Sequence, residues 1–249
     1  MAASVPKNSR KPKRRFAVFD IDGTLIRWQL FHAIVHTLGK RNLLPEGAHE
    51  RIKTARMQWK MRTHNDGFKR YERVLIQEYI VALRHMPVGE YESVVQAVFN
   101  EYKDQTFTYT RDLVKRLKAE GYVLFAISGS QQEVIQKLAA YHGFDAAVGA
   151  TLEQIDGKFS GTMDTPIFNK AAVLKKLVQT HGLAYTGSFG VGDSKSDVAM
   201  LELVDNAIVF NPDRELFDLA SKRQWDIVVE RKNMVYSLTP QKNGRYGLM

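Results

Sequence analysis

The stretch FAVFDIDGT, from Phe16 to Thr24, decides the fold of this chain. Its first four residues form a continuous apolar run, which is typical of a strand covered on both faces in a parallel sheet. Two acids, Asp20 and Asp22, follow at once, and Gly23 marks a turn. Because acids directly after a buried strand are costly unless they are paired or metal-bound, the stretch predicts a functional turn at the end of a central strand.

Helix and strand patterns alternate after residue 109. The predicted helices are 112–120, 132–142 and 170–181, and the predicted strands are 123–127, 188–191, 207–210 and 226–229. Short strands are also predicted within 146–160, with a hairpin turn at Asp156-Gly157. This alternation predicts an α/β fold with a doubly wound parallel sheet.

Residues 27–106 have a different sequence pattern: apolar residues recur at helical spacing over long stretches, and no convincing strand pattern occurs. We interpret them as a helical cap domain inserted after the first strand. The core domain then comprises 15–26 and 107–230, and residues 231–249 are assigned to a C-terminal tail.

The net charge of +9 is unevenly distributed, since six Lys and Arg residues and no acid lie in the first fifteen residues. Residues 1–14 are predicted to be a disordered, solvated basic tail. The alternative is contact with nucleic acid or an anionic membrane. A transit peptide is less well supported because the segment has no amphipathic apolar face.

Other features of the composition narrow the class of protein. No apolar run approaches the roughly 20 residues that a membrane-spanning helix needs. The chain has no cysteine, which excludes disulfides and thiolate metal sites and fits a reducing compartment. We therefore expect a cytoplasmic protein; the sequence does not indicate its oligomeric state.

Three polar turns each begin after an apolar strand, at 20–24, 128–130 and 193–197. In an open parallel sheet, ligands bind beyond the carboxyl ends of the strands, so these turns can share one crevice. Asp20, Asp22 and Asp193 would give the oxygen ligands that Mg²⁺ favours. The phosphate ligands expected beside them are Ser128, the amides around Gly129, and Lys170.

The order of these motifs resembles the haloacid dehalogenase-like hydrolases, in particular their phosphoserine phosphatase-like branch with a helical cap. The resemblance covers about residues 15–230. The matching segments are Asp20-Ile21-Asp22-Gly23-Thr24, Ile127-Ser128-Gly129-Ser130, Lys170, and Gly192-Asp193-Ser194-Lys195-Ser196-Asp197.

The resemblance implies a role for each of these residues. Asp20 attacks phosphorus to form an aspartyl phosphate, and Asp22 acts as general acid and then general base. Mg²⁺ is held by the Asp20 carboxylate, the Asp22 backbone carbonyl and Asp193. Ser128 and Lys170 bind the phosphoryl group, and Asp197 orients Lys170 or a metal-bound water. The pKa of Asp22 is then expected to lie above its ordinary value of about 3.9.

Structural explanations remain open for several of these residues. Ser128 or Ser130 can be the N-cap of the helix that follows. Lys170 can be a solvated helix residue, and Asp197 a first-turn acid favoured by the helix dipole.

Two positions depart from the pattern of phosphoserine phosphatases. Gln29 stands where those enzymes carry a glutamate that holds the substrate ammonium group, and Ser196 stands where they usually have asparagine. The loss of charge at Gln29 disfavours phosphoserine as the substrate.

The predicted cap offers further candidate substrate residues. Arg62, Arg70 and Arg73 can reach an anionic group of the substrate or lie in water. For the aromatic residues Trp28, Phe31 and Trp59, packing within the cap is favoured over lining a pocket.

Together these features predict a Mg²⁺-dependent phosphatase that hydrolyses a small phosphorylated metabolite. One alternative is a phosphotransferase or mutase that passes the same aspartyl phosphate to a substrate hydroxyl. Another is a non-catalytic binding protein that acts through its basic tail, although such a protein has no use for Asp22.

Overall fold

The computed structural model describes residues 14–84, 86–241 and 246–248. The helices over these residues are α1 (Leu30–Lys40), α2 (Ala48–Lys60), α3 (Gly67–Leu83), α4 (Val88–Tyr102), α5 (Thr108–Ala119), α6 (Gln132–His142), α7 (Lys170–Thr180), α8 (Val198–Leu201) and α9 (Arg214–Arg223). The strands are β1 (Arg15–Phe19), β2 (Val123–Gln131), β3 (Ala146–Ile155), β4 (Lys158–Asp164), β5 (Ala184–Gly192), β6 (Asn206–Phe210), β7 (Asp226–Arg231), β8 (Met234–Pro240) and β9 (Tyr246–Leu248).

The strands form one sheet in the order β4-β3-β2-β1-β5-β6-β7-β8-β9. The six strands from β3 to β7 are parallel, while β4, β8 and β9 are antiparallel to their neighbours. The chain extends the sheet from β1 through β2 to β3, and later from β5 through β6 to β7 in the other direction. Strand β1 therefore lies at the topological switch point, where α/β sheets form their ligand crevice. The predicted doubly wound α/β fold is confirmed.

Strand β1 is central because both of its faces are apolar. Phe16 and Val18 pack in one buried cluster with Leu174 of α7, and Ala17 and Phe19 pack in another on the opposite face. Alternate side chains of a strand point to opposite faces, so four consecutive apolar residues need cover on both sides. This burial fixes the position of the turn that begins at Asp20.

The helices α1 to α4 occupy the segment interpreted as a cap. The chain enters and leaves this segment side by side, because the Arg27 N–H donates to the Gln105 carbonyl and the Phe107 N–H donates to the Leu25 carbonyl. These paired connections are consistent with an insertion at 27–106. The division into core and cap stays a prediction.

The C-terminal region differs from the expected tail. Strands β8 and β9 extend the sheet, and β8 pairs with β7 from Arg231↔Met234 to Ile227↔Leu238. The two-residue connection contains Lys232, whose φ of 57° is typical of a tight hairpin. The first three residues of β8 are exposed, so this strand lacks the fully buried pattern by which the central strands were predicted.

Two other expectations concern residues 1–14 and the membrane. The predicted basic tail lies outside the described residues except for Arg14. Among the helices of the described ranges, none is both long and apolar enough to cross a bilayer.

Candidate active site

The switch point brings together the three segments predicted as turns, although 128–130 belongs to strand β2 rather than to a turn, because β2 continues to Gln131. Asp20 follows β1, Ser128 lies near the carboxyl end of β2, and Asp193 follows β5. Strands β2 and β5 flank β1 on either side, so their carboxyl ends meet at one edge of the sheet. The side chains of Asp20, Ser128 and Lys170 are all buried there.

Lys170 links two of the acids. Its Nζ lies 2.5 Å from Asp20 Oδ1 and 2.6 Å from Asp197 Oδ1. Burial alone would lower the pKa of this lysine, but the two carboxylates together raise it above its usual value. Lys170 is therefore a buried cation, in contrast to the alternative of a solvated helix residue. It is placed at the start of α7 because Asn169 caps that helix by accepting the Ala172 N–H.

Asp22 is held by three donors. Its Oδ2 accepts the Ser128 hydroxyl at 2.5 Å, and its Oδ1 accepts the Ser130 hydroxyl at 3.0 Å and the Leu30 N–H at 2.6 Å. Burial raises the pKa of Asp22 despite these hydrogen bonds, which oppose the shift. The direction agrees with the expected general acid. Since Leu30 is the first residue of α1, Asp22 also anchors the first helix of the predicted cap.

The two serines do not cap the following helix. Gln131 occupies the N-cap position of α6, where no side chain makes a capping hydrogen bond. The contact between Ser130 and Asp22 was missed by sequence reasoning. The signal for it was the Ser-x-Ser spacing, because residues i and i+2 of a strand share a face.

Asp197 is held by the turn in which it lies. Its Oδ2 accepts the Asp193 N–H at 3.2 Å, the Ser194 N–H at 3.0 Å and the Ser194 hydroxyl at 3.1 Å. Its Oδ1 contacts Lys170. Both oxygens are therefore engaged, and the geometry suits a residue that positions Lys170.

The charge balance of the site favours a divalent cation. Carboxylate oxygens of Asp20, Asp193 and Asp197 all lie within 4.8 Å of one another. Burial raises the pKa of Asp20 to about 7, and burial with repulsion from Asp20 raises that of Asp193. One lysine does not balance these acids together with Asp22, and hard oxygen ligands are those that Mg²⁺ prefers. The residues present therefore fit the expected ion. Because both Asp197 oxygens are engaged, Asp20 and Asp193 are the better carboxylate ligands.

Gly23 allows Asp193 to approach the first turn. The glycine has φ of 79°, and a Cβ built on it would overlap the Asp193 carboxylate. The same Cβ would lie 3.5 Å from Nε2 of Gln29, so the Gln29 side chain reaches the edge of the carboxylate cluster. Gln29 thus lies near the carboxylate cluster, a position that is compatible with the expected contact to substrate.

The three candidate arginines lie in the cap segment. Arg62 is exposed and lines a cavity of about 470 Å³ that is formed within the predicted cap. Arg70 is exposed and forms an ion pair with Asp66, and Arg73 is exposed on α3. Within the described ranges, no hydrogen bond or ion pair joins these arginines to the carboxylates. Their contact with substrate stays a prediction.

The aromatic candidates are half-buried and pack against the core. Trp59 stacks on Tyr71, with ring centroids 5.4 Å apart. Phe31 packs edge-on against Tyr79 at 5.3 Å. The favoured interpretation of these side chains as packing residues agrees with these contacts.

Comparisons with known proteins agree with this architecture. The sequence profile of a family described as haloacid dehalogenase-like hydrolase matches residues 17–202. A phosphoserine phosphatase of Methanocaldococcus jannaschii is 23% identical over 226 residues, which are 89% of this chain and 95% of that protein. A Mycobacterium tuberculosis protein named phosphoserine phosphatase SerB1 is 30% identical over 144 residues, which are 56% of this chain and 47% of its own length. The chain spans about half the length of the mycobacterial relatives.

Solved structures show the same fold. A protein of unknown function from Bordetella pertussis Tohama I superposes with a TM-score of 0.69 at 20% identity, covering 86% of this chain and 98% of that one. A phosphoserine phosphatase with a phospho-aspartyl intermediate analogue gives 0.61 at 22% identity, covering 89% and 95%.

Proposed function

We propose that this chain, which belongs to the haloacid dehalogenase-like hydrolase family, is a Mg²⁺-dependent phosphomonoesterase acting on a small organic phosphate. The observation that carries the proposal is the buried Lys170 ammonium between Asp20 and Asp197, with Asp22 held by two serines beside it. A nucleophile, a proton donor and a phosphate-binding cation thus occupy one crevice.

Asp20 is the nucleophile. Its carboxylate oxygen forms a bond to phosphorus while the bond from phosphorus to the leaving oxygen breaks, which gives an aspartyl phosphate and a free alcohol. Burial raises the pKa of Asp20 to about 7, and the neighbouring Lys170 opposes that shift. Lys170 therefore favours the ionised form of Asp20, which is the form that attacks.

Asp22 transfers the proton. Protonated Asp22 donates to the leaving oxygen, and the resulting carboxylate then takes a proton from the water that hydrolyses the aspartyl phosphate. Burial raises its pKa, which favours the protonated form needed first. Ser128 and Ser130 fix the direction of the carboxyl group.

The transferring phosphoryl group needs positive charge and hydrogen-bond donors. We assign these to the Lys170 ammonium, the Ser128 hydroxyl and the amides around Gly129. A side chain at Gly129 would come within 3.1 Å of Ile167, so the small residue also keeps this backbone unobstructed.

Mg²⁺ would be held by the carboxylates of Asp20 and Asp193 and by the Asp22 backbone carbonyl. When bound, it neutralises negative charge on the phosphate and on the acids. The carboxylate cluster and the raised pKa values of its members support this assignment.

The proposed catalytic residues are shielded by the helices above the sheet. Asp20 is 4% exposed and Lys170 is 2% exposed, so little of either side chain is open to solvent. The Asp22–Leu30 contact places the start of α1 directly on the catalytic acid. We infer that the segment 27–106 opens and closes as a cap that excludes water during phosphoryl transfer.

The substrate is inferred only as a class. Relatives named phosphoserine phosphatase raise phosphoserine as a candidate. Gln29 opposes it, because a neutral amide does not compensate the charge of an ammonium group. We therefore propose a small phosphorylated metabolite.

Asp20→Asn tests the mechanism, because an amide cannot form the aspartyl phosphate. We expect turnover of 4-nitrophenyl phosphate to fall at least 1000-fold with the fold unchanged by circular dichroism. Asp156→Asn is the matched control, since Asp156 lies in an exposed hairpin turn with φ of 51°, a conformation that asparagine also adopts. Wild-type turnover by Asp20→Asn would contradict the mechanism. Transfer of ³²P to an added alcohol instead of water would indicate the phosphotransferase.

A further inference from the structure

Buried polar atoms without a hydrogen-bond partner are concentrated beside the proposed active site. Across the described residues, the side chains with such atoms lie in two short segments, 24–32 and 131–133. The first segment follows Asp22 and the second follows Ser130. The side chains are Thr24, Trp28, His32, Gln131 and Glu133. Because buried polar groups are almost always paired, this concentration points to a ligand.

Gln131 is the most informative of these side chains. It is 0% exposed, and both its amide oxygen and its amide nitrogen lack a partner. The next residue, Gln132, is fully paired: its Oε1 accepts the Gly149 N–H at 2.5 Å, and its Nε2 donates to the Ala147 carbonyl at 3.3 Å. The two adjacent glutamines therefore differ in their hydrogen bonding: the Gln132 amide stabilises the fold by pairing with backbone groups, whereas the Gln131 amide does not.

The Gln131 amide lies where the predicted cap meets the sheet. It is beside the hydroxyl of Tyr79 on α3 without reaching hydrogen-bond geometry. The Tyr79 hydroxyl is 2.9 Å from that of Tyr91 on α4. We call Tyr79, Tyr91, Gln131 and Glu133 the amide–tyrosine cluster. Opening of the predicted cap would separate its two tyrosines from Gln131 and Glu133.

The amide–tyrosine cluster is connected to the catalytic acid. Ser130, which precedes Gln131, donates to Asp22 and accepts the Phe31 N–H at 3.0 Å. The Phe31 ring packs edge-on against Tyr79. The cluster is thus connected to Asp22 through Ser130 and Phe31, and we infer that a group leaving from a phosphate beside Asp22 can reach it.

The cluster consists mainly of amide and hydroxyl groups and contains no cation. Burial raises the pKa of both tyrosines, which keeps their hydroxyls protonated, and it also raises the pKa of the half-buried Glu133. No lysine or arginine of the described ranges hydrogen-bonds to the four residues, so a carboxylate would find no counter-charge there. Amide and hydroxyl groups that both donate and accept are complementary to substrate hydroxyls.

We propose that the amide–tyrosine cluster binds the leaving group, and that this group is a neutral polyol or sugar rather than an amino acid. The inference rests on the proposed function, since a leaving group requires a phosphomonoesterase. Gln131 is its specificity-determining residue: no side chain or backbone group of the described residues satisfies its amide, and the hydroxyls of a bound substrate supply the partners.

The test compares Gln131→Leu with Gln132→Leu by two measurements. In ligand-free protein, Gln131→Leu removes an unpaired buried amide and should raise Tm by about 2 °C or more, whereas Gln132→Leu removes two hydrogen bonds and should lower it. In the same preparations, kcat/KM is measured for glycerol phosphate and for 4-nitrophenyl phosphate. We expect Gln131→Leu to lower the ratio of glycerol phosphate to 4-nitrophenyl phosphate at least 10-fold, and Gln132→Leu to change it less than 2-fold. Gln131→Met, another apolar replacement of similar length, serves if the leucine variant does not fold.

The outcomes separate the two proposals. An unchanged ratio in Gln131→Leu, or the same loss in Gln132→Leu, overturns the inference while leaving the phosphatase intact. If the wild-type protein hydrolyses neither compound, the proposed function fails. In that case, binding of glycerol phosphate is measured by calorimetry in Asp20→Asn and in the double variant that also carries Gln131→Leu. Binding that the second substitution weakens at least 10-fold supports the inference. Absent binding, or equal binding in the two proteins, overturns it.

Discussion

Lys170 Nζ lies 2.5 Å from Asp20 Oδ1 and 2.6 Å from Asp197 Oδ1, although Asp20 is 150 residues away in the chain. All three side chains are buried, so their charges interact at a lower dielectric than in water. This ion triad joins the ends of two strands and the start of α7. It therefore couples the stability of the core to the geometry of the proposed nucleophile.

Replacement of the cation in this triad should affect both stability and activity. Lys170→Met leaves two buried carboxylates without their partner, and breaking a buried ion pair costs about 3–5 kcal/mol. We expect urea denaturation to show a loss of that size, and turnover of 4-nitrophenyl phosphate to fall at least 100-fold. Lys175→Met on the exposed surface of the same helix should change neither. If the triad contributed nothing, Lys170→Met and Lys175→Met would have the same free energy of unfolding and the same turnover.

The metal-free protein should lose stability as the pH rises. Burial raises the pKa of Asp20 from an ordinary value of 3.8 to about 7, so the folded state binds more protons than the unfolded state between these values. The contribution of this group is fully present below pH 3.8 and is lost as the pH rises through about 7. We expect the Tm of the wild-type protein in chelator to fall across this range relative to that of Asp20→Asn, which lacks this titration.

Mg²⁺ should reverse that loss, because a ligand that binds only the folded state stabilises it. Saturating Mg²⁺ at pH 7.5 should raise Tm in the wild-type protein and in Asp156→Asn. In Asp193→Asn the ligand-free Tm should rise, since a repelling charge is removed, and the response to Mg²⁺ should shrink. An equal Mg²⁺ response in all three proteins would exclude Asp193 as a ligand.

Gly23→Ala should weaken Mg²⁺ binding at the proposed site in addition to destabilising the backbone. Gly23 and Gly121 have φ of 79° and 80°, but a Cβ at Gly23 overlaps the Asp193 carboxylate, whereas one at Gly121 meets nothing within 4 Å. Alanine at either position carries a backbone cost of about 1–3 kcal/mol. Only Gly23→Ala should also raise the Mg²⁺ concentration for half-maximal activity, by about 10-fold or more. Equal Mg²⁺ dependence in the two variants would contradict this view.

Gln29→Glu tests the argument against phosphoserine. The new carboxylate lies beside the reacting groups and can hold an ammonium group, so kcat/KM for phosphoserine relative to 4-nitrophenyl phosphate should rise about 10-fold. Gln77→Glu, on the exposed face of α3, should leave that ratio unchanged. Efficient hydrolysis of phosphoserine by the wild-type protein would show that Gln29 does not exclude this substrate.

Prediction from sequence succeeded for strands whose burial requires a recognisable run of apolar residues. The apolar run 16–19 predicts a two-sided strand, and the structure buries Phe16 and Phe19 on opposite faces of β1. Strand β8 was missed because its first residues, Met234 to Tyr236, are exposed near the edge of the sheet. There the strand is stabilised by pairing with β7, and pairing between strands leaves no residue pattern comparable to continuous burial.

The residues that gather at the site were predictable, but the contacts between them were not. The sequence singled out Asp22 and Ser128 as acid and phosphate ligand; the structure shows their side chains bonded to each other. Sequence reasoning did not find Gln131, because nothing in the order of residues distinguishes it from Gln132. The difference between them is a matter of which atoms surround each amide.

The sequence by itself determined the identity and order of the reactive groups: two acids after the first strand, a serine after the second, a lysine at a helix start and two acids after a later strand. Residue type sets which groups can attack, donate protons or carry charge, and apolar periodicity sets which strands are buried. Only the tertiary structure decided that Lys170 contacts Asp20, that Asp22 binds the first residue of α1, and that the Gln131 amide has no partner among the described residues. These relationships depend on distances between atoms far apart in the chain, and it is packing on both faces of β1 that brings those atoms together.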